Sequence, residues 1–216
     1  MTIKAVIFDM DGTLIETSTM WKAAEMEVFS SLGVEVSETL SQLTESMTTT
    51  RVTEFWFAQF PWEGPSLAEV ESSVIRRVKE LVLEEGEAID GVVESLSFFT
   101  ERGLKLALAS NAPMDVISAV LTKLNIGSYF DEVVSADHVI SGKPDPHIFE
   151  FTSRKLGLDP DECLVVEDSL SGVLGAKRAG MQVLAIASNM RISLNADYHV
   201  EKMRDVVDTI SSFENL

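Results

Sequence analysis

The sequence predicts an α/β fold, a Rossmann-like parallel sheet with helices on both of its faces, interrupted by an inserted α-helical domain. From residue 91 onward, short apolar runs alternate with helical patterns, which is typical of a parallel sheet. An apolar run at residues 5–8 belongs to the same unit, whereas residues 17–84 show helical periodicity and no convincing strand. We therefore predict a core formed by residues 1–16 and 85–216 and an inserted helical cap domain formed by residues 17–84.

Two acids follow the first predicted strand. In the stretch KAVIFDMDGTL, the run Ala5–Phe8 has the pattern of a strand buried on both faces, and Asp9 and Asp11 follow where this strand leaves the core. Buried carboxylates are costly unless they are paired or hold a metal ion, so the two acids favour a functional interpretation. The alternative at this point is an ordinary turn rich in aspartate and glycine.

The inserted segment begins with an amphipathic helix that ends near Gly33, and weaker helical patterns follow at residues 37–47 and 51–60. Ser66 and Glu69 form a capping box that predicts the start of the next helix. Ligands of open α/β sheets bind beyond the carboxyl ends of the strands. An insertion directly after the first strand would therefore cover the site as a lid.

The later segments complete the predicted sheet. Strands are expected at residues 104–109, 132–135, 164–166 and 182–186, with a further edge strand at 198–200. Helices are expected at residues 92–101, 113–124, 146–156 and 169–179, followed by a last one near 204–210. Asp145 is placed to cap the third of these helices, and Gly180 to end the fourth.

The composition restricts the partners of the protein. The formal net charge of −18 and the pI near 4.4 argue against binding to nucleic acid or to an anionic membrane, since both reward clustered lysine and arginine. A small anionic substrate is compatible with this charge, because its site needs only local positive charge. No apolar run approaches the roughly 18 to 20 residues of a membrane span, and no targeting segment is recognisable at the start. We expect a soluble, unprocessed, cytoplasmic protein that is a monomer.

The single cysteine and the three histidines indicate no site of their own. Cys163 cannot form an internal disulfide, and because it opens the apolar run CLVV it is expected to be a small buried hydrophobe rather than a nucleophile. His138, His147 and His199 are scattered along the chain. This spacing predicts structural or surface positions rather than a cluster of metal ligands.

Polar residues follow further predicted strands at the same relative place. Ser110 and Asn111 precede a helix, where they form either a simple helix cap or, together with backbone N–H groups, an anion site. Lys143 is held extended by Pro144 and can project into a cleft as a point charge for phosphate. The alternative for Lys143 is a solvated lysine in a proline-rich loop.

A second acidic pair, Glu167 and Asp168, follows the strand predicted at residues 164–166. Adjacent carboxylates repel each other unless a cation lies between them and the first acids, and hard oxygen ligands suit Mg²⁺. Acids, a hydroxyl group, a lysine and a second pair of acids thus follow successive strands. This combination predicts a metal-assisted phosphoryl transfer.

These motifs resemble those of a known family. DMDGT at residues 9–13, Ser110, Lys143 and the pair Glu167-Asp168 are similar, in this order, to the four motifs of the haloacid dehalogenase superfamily of phosphohydrolases. The likeness covers the whole chain, and the helical insert resembles the cap of the β-phosphoglucomutase-like branch. More narrowly, the stretches FWFAQFPWEGPSLAEV, SNAP and SGKPDPHIF resemble the bacterial hexitol-phosphate and 2-deoxyglucose-6-phosphate phosphatases.

The resemblance implies a role for each matched residue. Asp9 would be the nucleophile that forms an aspartyl-phosphate. Asp11 would be the general acid for the leaving sugar oxygen and then the base for water. Ser110, Asn111 and Lys143 would hold the oxygens of the transferring phosphoryl group.

The resemblance also implies a Mg²⁺ site. Asp9 and Asp168 would be ligands, and Asp11 would contribute its backbone carbonyl. Glu167 would be either a ligand or a partner outside the coordination sphere. The metal would offset the repulsion between Asp9 and the incoming phosphate.

The implied activity is Mg²⁺-dependent hydrolysis of small sugar or sugar-alcohol phosphates, such as hexitol phosphates or 2-deoxyglucose 6-phosphate. Dehalogenases of this fold lack the second acid, so Asp11 argues against halide displacement. β-Phosphoglucomutases carry a histidine where this chain has Trp21, which leaves the mutase as an alternative activity. A phosphate-accepting signalling domain, an alternative of another class, has no large helical insertion. A non-catalytic sugar-phosphate sensor would not need both Asp9 and Asp11.

Substrate choice is expected to depend on the cap, because the cap brings different side chains to the same chemistry. Arg51 could reach a sugar hydroxyl or phosphate group, or lie in solvent as a surface arginine. Trp21, Trp56, Trp62 and Glu63 are further candidates. Trp21 and Trp56 also fit the apolar stripes of the predicted helices, which is the usual place of tryptophan.

Overall fold

The computed structural model describes residues 2–44 and 47–211 and contains a six-stranded parallel sheet. The strands in chain order are β1 (Ala5–Phe8), β2 (Lys105–Ser110), β3 (Glu132–Ser135), β4 (Cys163–Glu167), β5 (Gln182–Ile186) and β6 (Tyr198–Val200). Their order across the sheet is β3-β2-β1-β4-β5-β6, so β2 and β4 flank the central β1. The predicted parallel α/β fold is confirmed, and each strand begins and ends within one residue of its predicted bounds.

Helices fill the connections. Four lie in the inserted segment: α1 (Ser18–Ser31), α2 (Glu38–Thr44), α3 (Thr49–Gln59) and α4 (Leu67–Glu85). The later ones are α5 (Val92–Glu101), α6 (Met114–Leu124), α7 (His147–Leu156), α8 (Leu170–Arg178), α9 (Met190–Ser193) and α10 (Val206–Ser211). The described residues between β1 and β2 contain no strand, as predicted, while residues 45 and 46 of the pattern at 37–47 lie outside the described ranges. No helix in those ranges is long and apolar enough to cross a bilayer. The limits of the cap domain stay a prediction.

Alternate residues of the central strand face opposite layers of helices. Val6 and Phe8 of β1 share an apolar cluster with α5, α6 and α10, whereas Ala5 and Ile7 share one with α7 and α8. Successive side chains of a strand point to opposite faces, and here both faces are apolar. The continuous apolar run of β1 therefore reflects burial on both sides.

The inserted helices are packed against the core through α4. Trp56 of α3 is fully buried among aromatic side chains of the same apolar cluster that covers one face of the sheet. At the start of α4, Ser66 and Glu69 form the predicted capping box. Farther along α4, Lys79 pairs with Asp115 of α6 at 2.9 Å. The insertion is thus anchored on α6, next to the strand ends.

The cysteine and the histidines lie in structural or surface positions, as predicted, with His199 exposed on β6. Cys163 is fully buried in β4, and burial raises the pKa of its thiol to about 12, so the thiol packs as an apolar group. The ring of His138 accepts the backbone N–H of Ser135 at 3.3 Å, and His147 lies beside Asp145 at a helix start. Asp145 also accepts the backbone N–H of His147, the first residue of α7, at 3.1 Å, but the N-cap residue is Pro146 and not the predicted Asp145.

Candidate active site

The carboxyl ends of β1, β2 and β4 bring the predicted site residues into one cleft. Asp9 directly follows β1 and donates its backbone N–H to the carbonyl of Val166 in β4 at 3.0 Å. Ser110 is the last residue of β2, and Glu167 is the last residue of β4. Lys143 enters from the loop before α7. The parallel register therefore assembles groups that are far apart in the sequence.

A buried lysine joins the two acidic pairs. Lys143 Nζ donates to Asp9 Oδ1, and to Glu167 Oε1 at 2.5 Å, and the Lys143 side chain is only 3% exposed. Burial raises the pKa of Asp9 well above its ordinary value, and the positive charge of Lys143 opposes this only in part. Burial acts to lower the pKa of Lys143, but Asp9 and Glu167 raise it above its ordinary value. The lysine therefore stays charged.

Both carboxylate oxygens of Glu167 have partners. Oε1 accepts the bond from Lys143, and Oε2 accepts the backbone N–H and the hydroxyl of Ser169 at 3.0 and 2.9 Å. Gly172 of α8 leaves the space for this carboxylate, because a Cβ at that position would lie 1.7 Å from Oε1. The first turn of α8 thus holds Glu167 in one orientation.

Asn111 fixes the backbone of the lysine loop. Its Oδ1 accepts the backbone N–H of Lys143 at 2.8 Å, and its Nδ2 donates to the backbone carbonyl of Lys143 at 3.1 Å. Gly142 allows this approach, since a Cβ there would lie 2.3 Å from Asn111 Oδ1. The amide side chain therefore positions Lys143. A direct contact between Asn111 and phosphate stays a prediction.

Asp168 borders the cavity. Thr13 Oγ1 lies 3.5 Å from its Oδ1, and Gly12 lies against its other oxygen. Gly12 has a φ of +79°, and a Cβ there would lie 2.0 Å from Asp168 Oδ2, so both the turn and the close approach require glycine. Burial, followed by the negative charge of Glu167, raises the pKa of Asp168 to about 8.

Three of the described acids form a group that fits a metal ion. Asp9, Glu167 and Asp168 each offer a carboxylate oxygen, and these oxygens lie within 4.8 Å of one another. Donors of this kind are those that Mg²⁺ prefers, and a cation would stabilise the ionised forms that burial disfavours. The side-chain carboxylate of Asp11 is not in this group. This agrees with the expectation that Asp11 would offer only its backbone carbonyl to the metal.

The Asp11 carboxylate lies between the end of β2 and the start of α1. Its Oδ1 accepts the hydroxyl of Thr17 and the indole N–H of Trp21, the latter at 3.1 Å. Its Oδ2 accepts the hydroxyl of Ser110 at 3.3 Å, and Ser110 Oγ in turn accepts the backbone N–H of Ala112 at 3.0 Å. Ser110 therefore joins the site to the turn after β2 and does not cap α6, whose N-cap residue is Pro113 without a side-chain cap bond. An indole only donates, so Trp21 orients Asp11 and cannot exchange a proton with it as a histidine would.

A cavity of about 780 Å³ separates the strand ends from the inserted helices. The core contributes Asp9, Asp11, Ser110, Lys143 and Asp168 to its lining. The cap wall is a mixture of polar and apolar side chains, namely Trp21, Lys22, Glu25, Ser41, Gln42, Thr44, Met47, Thr49 and Val52. A space of this size and lining suits a small phosphorylated molecule.

The cap residues singled out from the sequence occupy different places. Trp21 lines the cavity. Trp56 and Trp62 are buried among aromatic rings of the cap. Arg51 and Glu63 are exposed, and neither is among the described residues that line the cavity. A role of Arg51 in substrate binding stays a prediction.

Sequence reasoning did not single out Thr17 or Glu25. Thr17 lies just before α1, where its hydroxyl reaches Asp11. Glu25 follows Trp21 by four positions on α1 and therefore lies on the same side of that helix. This spacing was the available signal for Glu25. The wall residues of α2 and α3 had no such signal, because their position depends on how three helices pack.

Comparisons with known proteins agree with the motifs. Residues 6–186 match the family model described as haloacid dehalogenase-like hydrolase. The chain is 37% identical to hexitol phosphatase B of Escherichia coli (strain K12) over 186 residues. This alignment covers 85% of this chain and 83% of that protein. It is 33% identical over 180 residues to the phosphorylated carbohydrates phosphatase of Thermotoga maritima, with 83% of each chain covered. The crystal structure of a putative β-phosphoglucomutase from Thermotoga maritima is similar with a TM-score of 0.76 and 29% identity, over 97% of this chain and 99% of that one.

Proposed function

Because the chain belongs to the haloacid dehalogenase-like hydrolase family and is a phosphatase, we propose that it hydrolyses small sugar phosphates or sugar-alcohol phosphates with Mg²⁺. The observation that carries the proposal is the group of Asp9, Lys143 and Asp168 at the floor of a cavity sized for a small molecule. Two relatives whose names specify a hexitol and phosphorylated carbohydrates support the substrate class.

We assign the covalent chemistry to Asp9. A carboxylate oxygen of Asp9 attacks phosphorus, the bond from phosphorus to the sugar oxygen breaks, and that oxygen takes a proton from Asp11. Asp11 then accepts a proton from water while the water oxygen attacks phosphorus. The bond between phosphorus and Asp9 breaks, which releases inorganic phosphate, restores the Asp9 carboxylate and leaves Asp11 in its protonated form, ready for the next cycle.

The surrounding groups compensate charge. Lys143 contacts Asp9, so its ammonium group would offset the negative charge of a phosphoryl group attached there. Mg²⁺, when bound, would supply further positive charge to the phosphoryl oxygens. Asp9 and Asp168 would hold the metal directly. Since both oxygens of Glu167 already accept hydrogen bonds, we infer that Glu167 acts from outside the coordination sphere.

The cap would control entry and water. We propose that residues 17–84 form the lid and that residues 1–16 and 85–216 form the catalytic core, since the four helices α1 to α4 and the cavity wall lie within the first of these segments. Trp21 provides no acid or base for activating a sugar hydroxyl, so water is the acceptor that this site favours over a sugar.

Replacement of the nucleophile tests the proposed chemistry. Asp9→Asn is expected to abolish phosphate release from sorbitol 6-phosphate and 2-deoxyglucose 6-phosphate, while the far-UV circular dichroism and thermal unfolding stay those of a folded protein. Asp115→Asn is the matched control, because Asp115 is an exposed acid paired with Lys79 away from the cleft. Equal turnover by Asp9→Asn would overturn the mechanism. Formation of glucose 6-phosphate from β-glucose 1-phosphate would favour the mutase instead.

A further inference from the structure

Glu25 is an unusual member of the cavity wall. It lines the cavity from α1 and is partly buried, and burial raises the pKa of its carboxyl group to about 7. Within residues 2–44 and 47–211, no hydrogen bond or ion pair reaches this carboxylate. Burying an acid without a partner is unfavourable, so a group that the substrate supplies is the natural partner.

The position of Glu25 on α1 relates it to the reaction. Trp21 of the same helix donates to Asp11, the acid proposed to protonate the leaving oxygen. Glu25 lies four residues farther along, about 6 Å along the helix axis and on the same side. A molecule with its phosphate at Asp9 and its ester oxygen at Asp11 would therefore extend past Trp21 toward Glu25.

Part of the cap wall offers uncharged polar groups, although Lys22 also lines the cavity. Ser41, Gln42, Thr44 and Thr49 also line the cavity, and they offer hydroxyl and amide groups. Lys22 lies near Glu25 on α1, but it pairs with Glu38 of α2 at 3.3 Å. A carboxylate that lines the same cavity as hydroxyl and amide groups matches the hydroxyl groups of a polyol, since hydroxyls donate well to carboxylate oxygens.

We propose that Glu25 binds a hydroxyl group of the sugar or polyol part of the substrate, remote from the phosphate, and that its charge excludes substrates with a second anionic group at that end. Glu25 is then a specificity-determining residue. The inference rests on the proposed phosphatase function. It predicts a preference for monophosphates whose sugar or polyol part is uncharged, over sugar bisphosphates and over short phosphoesters that carry a carboxylate.

Substrate competition tests this assignment. Sorbitol 6-phosphate is compared with acetyl phosphate, which has no hydroxyl group, and with fructose 1,6-bisphosphate, which has a second phosphate. In Glu25→Gln and Glu25→Ala, the ratio of kcat/KM for sorbitol 6-phosphate to that for acetyl phosphate is expected to fall about 10- to 100-fold. In Glu25→Gln, kcat/KM for the bisphosphate relative to sorbitol 6-phosphate is expected to rise about tenfold.

The matched control is Glu27→Gln, which removes the same charge from the same helix. Glu27 pairs with Arg77 of α4 at 2.8 Å and does not line the cavity. Both ratios should keep their wild-type values in this variant. A residue with only a structural role would lower kcat/KM for all three substrates together and would not favour the bisphosphate. That pattern, or unchanged ratios in both Glu25 variants, would overturn the assignment.

A binding measurement separates this inference from the proposed function. The Kd of sorbitol 6-phosphate is measured by calorimetry for Asp9→Asn and for the double variant Asp9→Asn/Glu25→Gln. A weaker Kd in the double variant, by about tenfold or more, supports the role of Glu25 even if the wild-type protein hydrolyses none of the three compounds. Equal Kd values reject it, whatever the outcome for turnover.

Discussion

The two walls of the cleft are built on different principles. On the core side, Lys143 and Glu167 are buried and their charged groups are engaged, with Asp9 as the third partner. On the cap side, Glu25 and Gln42 face the same cavity, and Glu25 has no partner within the described residues. Groups that are fixed by neighbours serve chemistry, because electrostatic stabilisation requires that they do not reorient. Groups that lack partners are available to the substrate.

The same difference separates the residues proposed to carry out the chemistry from those proposed to select the substrate. The strand ends of β1, β2 and β4 determine where Asp9, Ser110 and Glu167 lie, and this arrangement depends on the parallel register. The cap wall depends on side chains of α1, α2 and α3, which are free to differ without disturbing that register. The two walls meet at Asp11, which accepts hydrogen bonds from both Thr17 and Trp21 at the start of the inserted segment.

Removing the buried lysine should produce the largest effect. Lys143→Met leaves Asp9 and Glu167 buried without their cation, which we expect to lower the free energy of unfolding by about 3–5 kcal/mol. Phosphate release should fall by about 10³-fold or more, since the charge on the transferring group loses its main compensation. Urea unfolding and steady-state kinetics measure the two losses.

The control for the lysine is Lys177→Met. Lys177 pairs with Asp197 at 2.7 Å on the surface, and both side chains are partly exposed. An exposed pair of this kind contributes about 1 kcal/mol or less, so stability and turnover should stay near the wild-type values. If Lys143→Met were no more harmful than Lys177→Met, the core wall would not be the charge-compensated unit described above.

A methyl group added at Gly172 should displace Glu167 in the core wall. In Gly172→Ala the new Cβ would lie 1.7 Å from Glu167 Oε1, so Glu167 must move and its bond to Lys143 must break. We expect about a 100-fold loss of kcat, in line with the effect of misplacing a positioned group. Gly127→Ala is the control, because the nearest atom to a Cβ there is 3.8 Å away. Equal kcat values for the two variants would contradict the proposed need for close packing of Gly172 against the Glu167 carboxylate.

The core wall was predictable from the sequence, and the reason is physical. A strand buried on both faces must be a continuous apolar run, so the end of such a run marks a strand end, and parallel strand ends share one edge of the sheet. Asp9, Ser110 and Glu167 follow from this rule. The close contacts around the acids do not follow from this rule. Gly12 and Gly172 leave space for the carboxylates of Asp168 and Glu167, and this space depends on distances below 3 Å that no sequence pattern encodes.

The cap wall was less predictable. The helical periodicity of residues 17–84 indicated helices but not which polar residues face the cavity, because a polar face is compatible with solvent as well as with a substrate site. Trp56 and Arg51 were candidates for substrate contact, and the structure places one in the apolar core and the other at the surface. The position of Glu25 in the cavity wall follows only from the structure, because it depends on how α1 lies over the strand ends.

Metal binding should affect the core wall in a pH-dependent way. Burial raises the pKa of Asp168 from 3.8 to about 8, and that of Asp9 in the same direction, so the folded apo protein binds more protons than the unfolded chain between these values. The stability contributed by these groups is fully present below about pH 4 and is lost as the pH rises through the folded pKa. We expect Mg²⁺ to bind the ionised acids and so to restore that stability.

The expected readout is a rise in Tm on addition of saturating Mg²⁺ of several degrees at pH 8 and of little or nothing at pH 5. Differential scanning fluorimetry with Mg²⁺ or with a chelator measures it. Asp168→Asn should flatten the pH dependence and remove most of the Mg²⁺ effect at pH 8, whereas Asp115→Asn, outside the cleft, should change neither. An equal Mg²⁺ effect at both pH values would show that the ion binds elsewhere.

The smallest effect should come from one of the two links between the walls, the bond from Trp21 to Asp11. Trp21→Phe keeps an aromatic ring on α1 but removes the N–H that Asp11 accepts at 3.1 Å, while the bonds to Asp11 from Thr17 and Ser110 remain. Loss of one bond of three to a charged group should lower kcat by about tenfold, with a smaller change in KM. Trp62→Phe, which loses an indole bond to the carbonyl of Pro65 away from the cavity, is the matched control and should leave kcat intact. If Trp21→Phe instead raised KM with kcat unchanged, Trp21 would contribute to substrate binding rather than to the positioning of Asp11.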